Sequence, residues 1–357
     1  MQTYRAALVG CGRMGAFIDN EVAGRATATL PYSHAAGYEA CDRTELIAGS
    51  DMRREVLEQF GARYNVASDH HYTDFREMIV NEKPDIVSIA TQPYERAEIA
   101  LFAIEHGVRA IYGEKPLCAS VTEAKQLAEA VEKHGVAYNM GTNRRWHPGF
   151  QKMREAIASG EYGELRELST STRSSLFNTH SHWVDTLMFL SGDAKPLWVQ
   201  SYLPNGDDDL DGDRVIQDPW GELTVGLENG VVAHFLSTPG GAVHTAQLES
   251  AVITASNGDA LFEIWSRGER EPRSSAIEYT PGSSTLRLIQ DLVHALDTGE
   301  PTRGGVRVAE TNTQILFGAI ESHRQNGARV ALPLTDSALF FSPLNTAPKQ
   351  PKYAVVQ

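Results

Sequence analysis

The stretch Ala6-Ala7-Leu8-Val9-Gly10-Cys11-Gly12-Arg13-Met14-Gly15 decides the fold. Ala6 to Val9 is a short apolar run that reads as a buried strand, and a G-x-G-x-x-G pattern follows at once and opens a helix-compatible stretch. In that context Gly10 permits a tight turn, Gly12 lets backbone N–H groups reach a pyrophosphate, and Gly15 lets the helix pack closely on the strand. The helix N-terminus then faces the anion. A bare glycine pattern is weak, and an acid at the end of the next strand strengthens it: Leu46-Ile47-Ala48-Gly49-Ser50-Asp51. A carboxylate there accepts hydrogen bonds from adenosine ribose hydroxyls and repels a 2′-phosphate, which favours NAD over NADP. Asp51 arrives about fifteen residues later than the usual spacing of about 20. Ile18 to Tyr32 therefore reads as an insertion, after which Ser33 caps a resumed helix. Arg53 and Arg54, which could accept a 2′-phosphate, are taken as a solvated helix face.

Outward from this point, Glu45 to Ser50, Asp85 to Ala90, Val108 to Tyr112 and Val136 to Met140 repeat the short apolar strand. Helix-period stretches (Arg53 to Tyr64, Arg96 to His106, Val121 to His134) separate them. This alternation means βαβ units and a parallel sheet covered on both faces. After about Arg144 the texture changes. Helices are expected at Gln151 to Ala158 and His182 to Leu190, and strands at Leu165 to Thr172, Leu223 to Leu227, Val231 to Leu236 and Leu248 to Ala255. Glu228-Asn229-Gly230 is a hairpin signal. Leu286 to Leu296 and Val308 to His323 return as amphipathic helices. The expected architecture is a Rossmann doubly wound parallel sheet over 1–143 and an α+β domain with a large open, mainly antiparallel sheet over 144–340. An arm or loose tail is expected over 341–357.

Composition narrows the class of function. The chain has 357 residues and a formal charge of −14, so a nucleic-acid or anionic-membrane partner, which needs clustered Lys and Arg, is not expected. No apolar run approaches the ~18 residues that span a bilayer, and the N-terminus has no signal-peptide pattern. Cys11, Cys41 and Cys118 fit no disulfide framework or zinc spacing, in keeping with a cytoplasmic protein. Asp207-Asp208-Asp209-Leu210-Asp211-Gly212, with Asp218 further on, imitates a calcium loop. The flanking patterns are strands rather than helices, so an acidic loop without metal is expected. His70-His71 reads as loop surface.

Tyr112-Gly113-Glu114-Lys115-Pro116 closes the strand from Val108. Together with Gly10–Gly15, it resembles the glucose–fructose oxidoreductase, inositol dehydrogenase and rhizopine catabolism (Gfo/Idh/MocA) family. The resemblance continues through Ile89-Ala90-Thr91-Gln92-Pro93, Asn143-Arg144-Arg145-Trp146-His147-Pro148 and Asn178-Thr179-His180-Ser181-His182-Trp183-Val184-Asp185. It ends in Ala319–Ser322 and Val330–Pro333. It implies an NAD-dependent oxidoreductase that moves a hydride to or from a hydroxyl-bearing carbon of a sugar, glycoside or cyclitol, and that forms a homodimer or homotetramer. Two alternatives stay open: a glycosidase- or epimerase-like enzyme that recycles bound NAD, and a non-catalytic NAD-binding sensor.

For the cofactor, the resemblance implies Gly10, Gly12, Arg13, Met14, Gly15, Asp51, Thr91, Gln92, Pro93, Glu114 and Lys115. For catalysis it implies Lys115, His182 and Asn178, and for substrate Lys115, Arg145, Trp146, Asn178, His182 and Asp185, with the domain junction as the alternative for Arg145 and holding its helix as the alternative for Asp185. Lys115 follows the carboxyl end of a parallel strand, where ligands bind, and can hydrogen-bond a substrate oxygen. His182 is expected to take the hydroxyl proton. Many members of the family carry a carboxylate where this chain has Asn178, and a His where it has Arg96.

Overall fold

The computed structural model describes residues 2–25, 28–267, 273–344 and 350–354. Parts of the expected insertion (26–27) and of the expected tail (345–349 and 355–357) lie outside them. The N-terminal sheet contains β1 (Tyr4–Val9), β2 (Thr44–Ser50), β3 (His71–Tyr72), β4 (Ile86–Ile89), β5 (Ala110–Gly113) and β6 (Ala137–Met140). Its order is β3-β2-β1-β4-β5-β6 with every pairing parallel, the doubly wound Rossmann order. Strands β4 and β5 are buried along their whole length, as a sheet covered on both faces requires. Between the strands run α1 (Asp19–Val22), α2 (His34–Glu39), α3 (Arg54–Tyr64), α4 (Phe75–Glu82), α5 (Pro93–Glu105) and α6 (Val121–His134). Strand β3 and helix α4 gave no clear periodic signal in the sequence. His71 is therefore a strand residue whose Nε2 lies 3.0 Å from the Val66 carbonyl, not loop surface.

The second half contains α7 (Pro148–Ala158), β7 (Leu165–Ser171), α8 (Ser181–Leu190), β8 (Pro196–Tyr202), β9 (Leu210–Asp211) and β10 (Arg214–Val215). It continues through β11 (Glu222–Leu227), β12 (Val232–Leu236), β13 (Val243–Leu248), β14 (Ala251–Ser256), β15 (Leu261–Ser266) and β16 (Arg273–Ala276). It closes with α9 (Ser284–Thr298), α10 (Val306–Arg324), β17 (Val330–Ala331) and β18 (Phe340–Phe341). A nine-stranded sheet runs β16-β15-β14-β13-β7-β12-β11-β8-β17. All its pairings are antiparallel except β7 with β12. The strand expected over Leu248 to Ala255 is in fact the end of β13, a turn at Glu249–Ser250, and β14; a turn without Gly or Pro left no mark in the sequence.

Leu168, Val199, Val225 and Phe235 on one face of the large sheet share a core with Val184 and Leu187 of α8 and Ile315 and Phe317 of α10. On the opposite face Tyr202, Leu236, Val243, Leu261 and Trp265 are exposed. Helix α9 crosses back to the N-terminal sheet. Its Leu288, Ile289, Leu292 and Val293 pack with Tyr4, Ile86, Ala110 and Tyr112. The expected tail begins as packed structure: β18 pairs in parallel with β10, and Phe341 stacks on Phe177 at 4.0 Å. The three cysteines are buried and free, and no helix among the described residues is long and apolar enough to cross a membrane.

Candidate active site

The dinucleotide end is made of backbone. Gly10 has φ +90°, and a Cβ there would lie 2.8 Å from the Ala90 carbonyl oxygen; a Cβ on Gly15 would lie 1.9 Å from the Gly10 carbonyl oxygen. Neither position accepts a side chain, as a turn pressed between strand and phosphate-binding helix requires. The following turn, Arg13–Phe17, is π-helical, a local form frequent at functional sites. Arg13 is held by Glu21, with nitrogen–oxygen distances of 2.8–3.0 Å, and Met14 is half-buried beside it. Across the sheet edge Gln92 precedes α5, Pro93 occupies its first turn, and the Glu95 carboxylate accepts from the Gln92 amide at 3.3 Å. Thr91 Oγ1 is buried without a protein partner, so a polar group remains for a ligand to satisfy. The glycine cradle and this orphan hydroxyl fit a dinucleotide.

Asp51 closes β2 as expected, but it is not free. Arg53 Nε donates to Oδ1 at 3.0 Å and Nη2 to Oδ2 at 3.2 Å, and the Arg53 amide also donates to Oδ1 at 3.0 Å. Arg53 is therefore folded back toward Gly12, where a Cβ would meet its Nη2 at 2.9 Å, and is not the solvated surface expected of it. Arg54 is exposed.

The residues expected to be catalytic join the two halves of the chain. Lys115 Nζ donates to the Asn178 carbonyl oxygen at 2.5 Å and lies 3.4 Å from Asn178 Oδ1. Burial lowers the Lys115 ammonium to about 8; Glu114 and Asp218 oppose the shift, and Arg96 and Arg13 add to it. His182, near the start of α8, is held well below the usual imidazole value, first by burial and then by the charges of Lys115 and Arg144. It is neutral at pH 7, and its Nδ1 is buried without a partner. Asn178 sits in a second π-helical turn, Leu176–His180. His180 is a core residue, its Nε2 3.1 Å from the Gly221 carbonyl oxygen.

Buried groups fix this arrangement from behind. Glu114 is 5% exposed; its Oε1 lies 3.2 Å from His34 Nε2 and its Oε2 accepts from the Lys115 amide at 3.1 Å. The Glu114 side chain thus holds Lys115 rather than facing a cofactor. His34 stacks on Tyr112 at 3.7 Å, and its Nδ1 is 2.7 Å from Ser88 Oγ. Arg96 is also buried. It donates to the Thr91 carbonyl (2.6 and 3.0 Å), to the Glu114 carbonyl (3.1 Å) and to the Pro116 carbonyl, tying the Thr91 and Lys115 loops together. Asp218 accepts from the amides of Phe177 (2.8 Å) and Asn178 (2.9 Å). A residue of the apparent calcium loop thereby anchors the turn that meets Lys115. Asp207 lies 3.2 Å from His323 Nε2 and Asp213 pairs with Arg324 at 2.9 Å, so the loop's carboxylates diverge. Among the described residues no group of three His, Cys, Asp or Glu could hold a metal.

Three expected substrate contacts are corrected. Arg145, 1% exposed, forms a buried ion pair with Asp185 (2.8 Å) and a second with Asp193 (2.9 Å). It also donates to the Arg303 carbonyl at 3.3 Å. Trp146, 1% exposed, packs with Leu288 and Ile289. Arg145, Asp185 and Trp146 have no surface to offer a substrate. The neighbouring Arg144 faces the cleft instead. It pairs with Asp259 at 2.6 Å and lies over the Trp183 ring at 4.0 Å. Arg144, Asp259, His147, Tyr32 and Thr285 line one polar pocket. His244 Nε2 stands 3.6 Å from Asp259 Oδ1, beyond hydrogen-bonding range. Burial alone would raise the Asp259 carboxyl; Arg144 and His244 outweigh it and hold it below the ordinary carboxylate range.

A family model described as "Oxidoreductase family, NAD-binding Rossmann fold" (Gfo/Idh/MocA) matches residues 4–142. Residues 4–142 are thus similar to the NAD-binding domain of the Gfo/Idh/MocA oxidoreductases. Curated relatives include D-apiose dehydrogenase of Paraburkholderia graminis, 26% identical over 46% of this chain and 38% of that protein. Myo-inositol 2-dehydrogenase of Thermotoga maritima is 25% identical over 47% of this chain and 45% of that one. The match thus spans less than half the length of these relatives. Full-length likeness comes from structures: levoglucosan dehydrogenase with NADH and levoglucosan superposes with TM-score 0.77 and 16% identity, over 93% of this chain and all of the other. Aldose–aldose oxidoreductase of Caulobacter crescentus gives 0.75 and 16%, over 93% and 100%. At these identities the likeness is one of fold. The chain thus has its N-terminal domain matched by sequence to an NAD-binding family and its second domain matched by shape.

Proposed function

We propose that this protein is a Gfo/Idh/MocA enzyme, an NAD-dependent dehydrogenase that oxidises a secondary alcohol of a sugar, glycoside or cyclitol. One observation carries the choice of a hydroxyl-rich substrate. Five buried polar atoms without a hydrogen-bond partner, His182 Nδ1, Trp183 Nε1, Arg144 Nε, and Asp259 Oδ1 and His244 Nε2 (3.6 Å apart), belong to a run of neighbouring residues that begins at His182, which feels the charge of Lys115. Orphan polar atoms are costly to bury, and donors and acceptors together match a ligand that offers several hydroxyls.

The glycine turn and Thr91 would hold NAD, which when bound supplies the hydride acceptor. Lys115 and His182 share the reacting hydroxyl. The local pattern assigns the proton to His182; electrostatics favour Lys115, whose value near 8 is matched to neutral pH while His182 is a poor base beside two cations. Neutral Lys115 takes the hydroxyl proton as the carbonyl forms, and neutral His182 orients the oxygen. Asn178 positions Lys115 through its carbonyl. A panel of sugars, cyclitols and glycosides assayed with NAD and NADP tests this. One equivalent of NADH released per substrate oxidised is expected, and turnover without added NAD overturns it in favour of a recycling enzyme. The exposed apolar face of the nine-stranded sheet suits burial against a second copy. A 39.1 kDa species at micromolar concentration by light scattering would exclude that.

A further inference from the structure

The C-terminal segment returns to the dinucleotide end. Asn20 of α1 donates to the Lys352 carbonyl at 2.6 Å, and Arg63 of α3 holds Asn20 Oδ1 at 2.8 Å. The Tyr353 ring meets Phe17, in the turn that follows the glycine loop, edge-on at 4.8 Å. Arg63 lies over the other side of this cluster, 5.5 Å from Phe17 and 5.4 Å from Tyr64. Pro351 is buried, whereas Tyr353 keeps 41% of its surface open. The charged groups facing Tyr353 are Arg53, Glu55 and Asp51, and Lys352 faces Glu21, the partner of Arg13. The segment thus lies along the helices that flank Gly10–Gly15 and ends beside the acid that closes β2.

In a Rossmann domain that acid receives the adenosine ribose. We propose that Pro351–Tyr353 form an outer wall of the adenosine half-site and that Tyr353 is a dinucleotide-binding residue. This rests on the dinucleotide reading of Gly10–Gly15 and Asp51. Phe17 and Lys352 fix the ring while its exposed surface faces the ribose side of Asp51 and Arg53. The ligand class is the adenosine half of NAD, so the nicotinamide half is indifferent to the segment.

Calorimetry on the full chain, on Tyr353→Ala and on a chain ending at Gln350 tests it, with NAD+, ADP-ribose and nicotinamide mononucleotide as probes. Both altered chains are expected to bind NAD+ and ADP-ribose about three- to tenfold more weakly, the scale of one aromatic contact. Tyr353→Phe should stay within about twofold. Melting temperatures identify any variant that weakens binding by unfolding. NAD+ and ADP-ribose affinities within twofold of the full chain in both altered proteins would overturn the wall and leave the dinucleotide reading intact. Failure of the unaltered chain to bind NAD+ would overturn both.

Discussion

The two halves of the cleft are built from different materials. The dinucleotide half is backbone: glycines that admit no Cβ, helix N-termini, and side chains already paired, Asp51 with Arg53 and Arg13 with Glu21. The half proposed to take substrate is side chain, with polar atoms that lack a hydrogen bond on His182, Trp183, Arg144, Asp259 and His244. Backbone binding depends on local conformation, which a short motif encodes. Side-chain binding depends on which residues the fold brings together. Arg144 and Arg145 make the same contrast in adjacent positions: one is sealed between Asp185 and Asp193, the other opens onto the cleft with Asp259.

That contrast can be broken by substitution. The largest effect is expected at Arg145→Ala, which strands Asp185 in the core without its charge partner; about 3–5 kcal/mol of stability should be lost in denaturant unfolding. Arg144→Ala, at the cleft, should cost much less stability and act mainly on substrate KM. Equal losses of stability in the two variants would erase the distinction. Next come Lys115→Ala and His182→Ala, each expected to lower kcat by about 10²-fold or more while leaving the calorimetric NAD affinity little changed. A double variant that oxidised substrate near the native rate would leave the assignment untenable.

The pH profile sharpens the division of labour between these two. Lys115, lowered by burial to about 8, is protonated below that pH and neutral above it. The oxidation rate should therefore rise as pH increases through about 8. His182, held well below its ordinary value, is neutral throughout and should contribute no step between pH 6.5 and 8. The step should disappear in Lys115→Ala and survive in His182→Ala; the reverse would return the proton to His182. The smallest effect concerns cofactor choice. NAD is expected to bind better than NADP, and Asp51→Ala should narrow the difference by about tenfold or less, because it removes the carboxylate and frees Arg53 to meet a 2′-phosphate. Calorimetry showing equal or better NADP binding by the unaltered chain would mean that the Arg53 guanidinium, not Asp51, decides.

The sequence by itself determined the glycine turn of the nucleotide-binding end and singled out Lys115 and His182 as the pair to test. A turn between strand and helix is specified by glycines within ten residues, and Lys115 and His182 stand in recognisable local segments. Periodicity likewise determined the parallel sheet and most helices, since each is a repeat along the chain, and the Asn229-Gly230 turn signal determined the hairpin between β11 and β12. What only the tertiary structure decided is how distant residues meet. His34 and Glu114 join behind Lys115 across 80 residues of sequence, and Asp218 reaches Asn178 across 40. Asp259 and His244 meet Arg144 from later segments, α9 covers the other domain's sheet, and Tyr353 returns to Phe17. Which of two adjacent arginines faced the cleft was undecidable from local pattern, because burial is set by the surfaces that close over a residue, and those surfaces come from elsewhere in the chain.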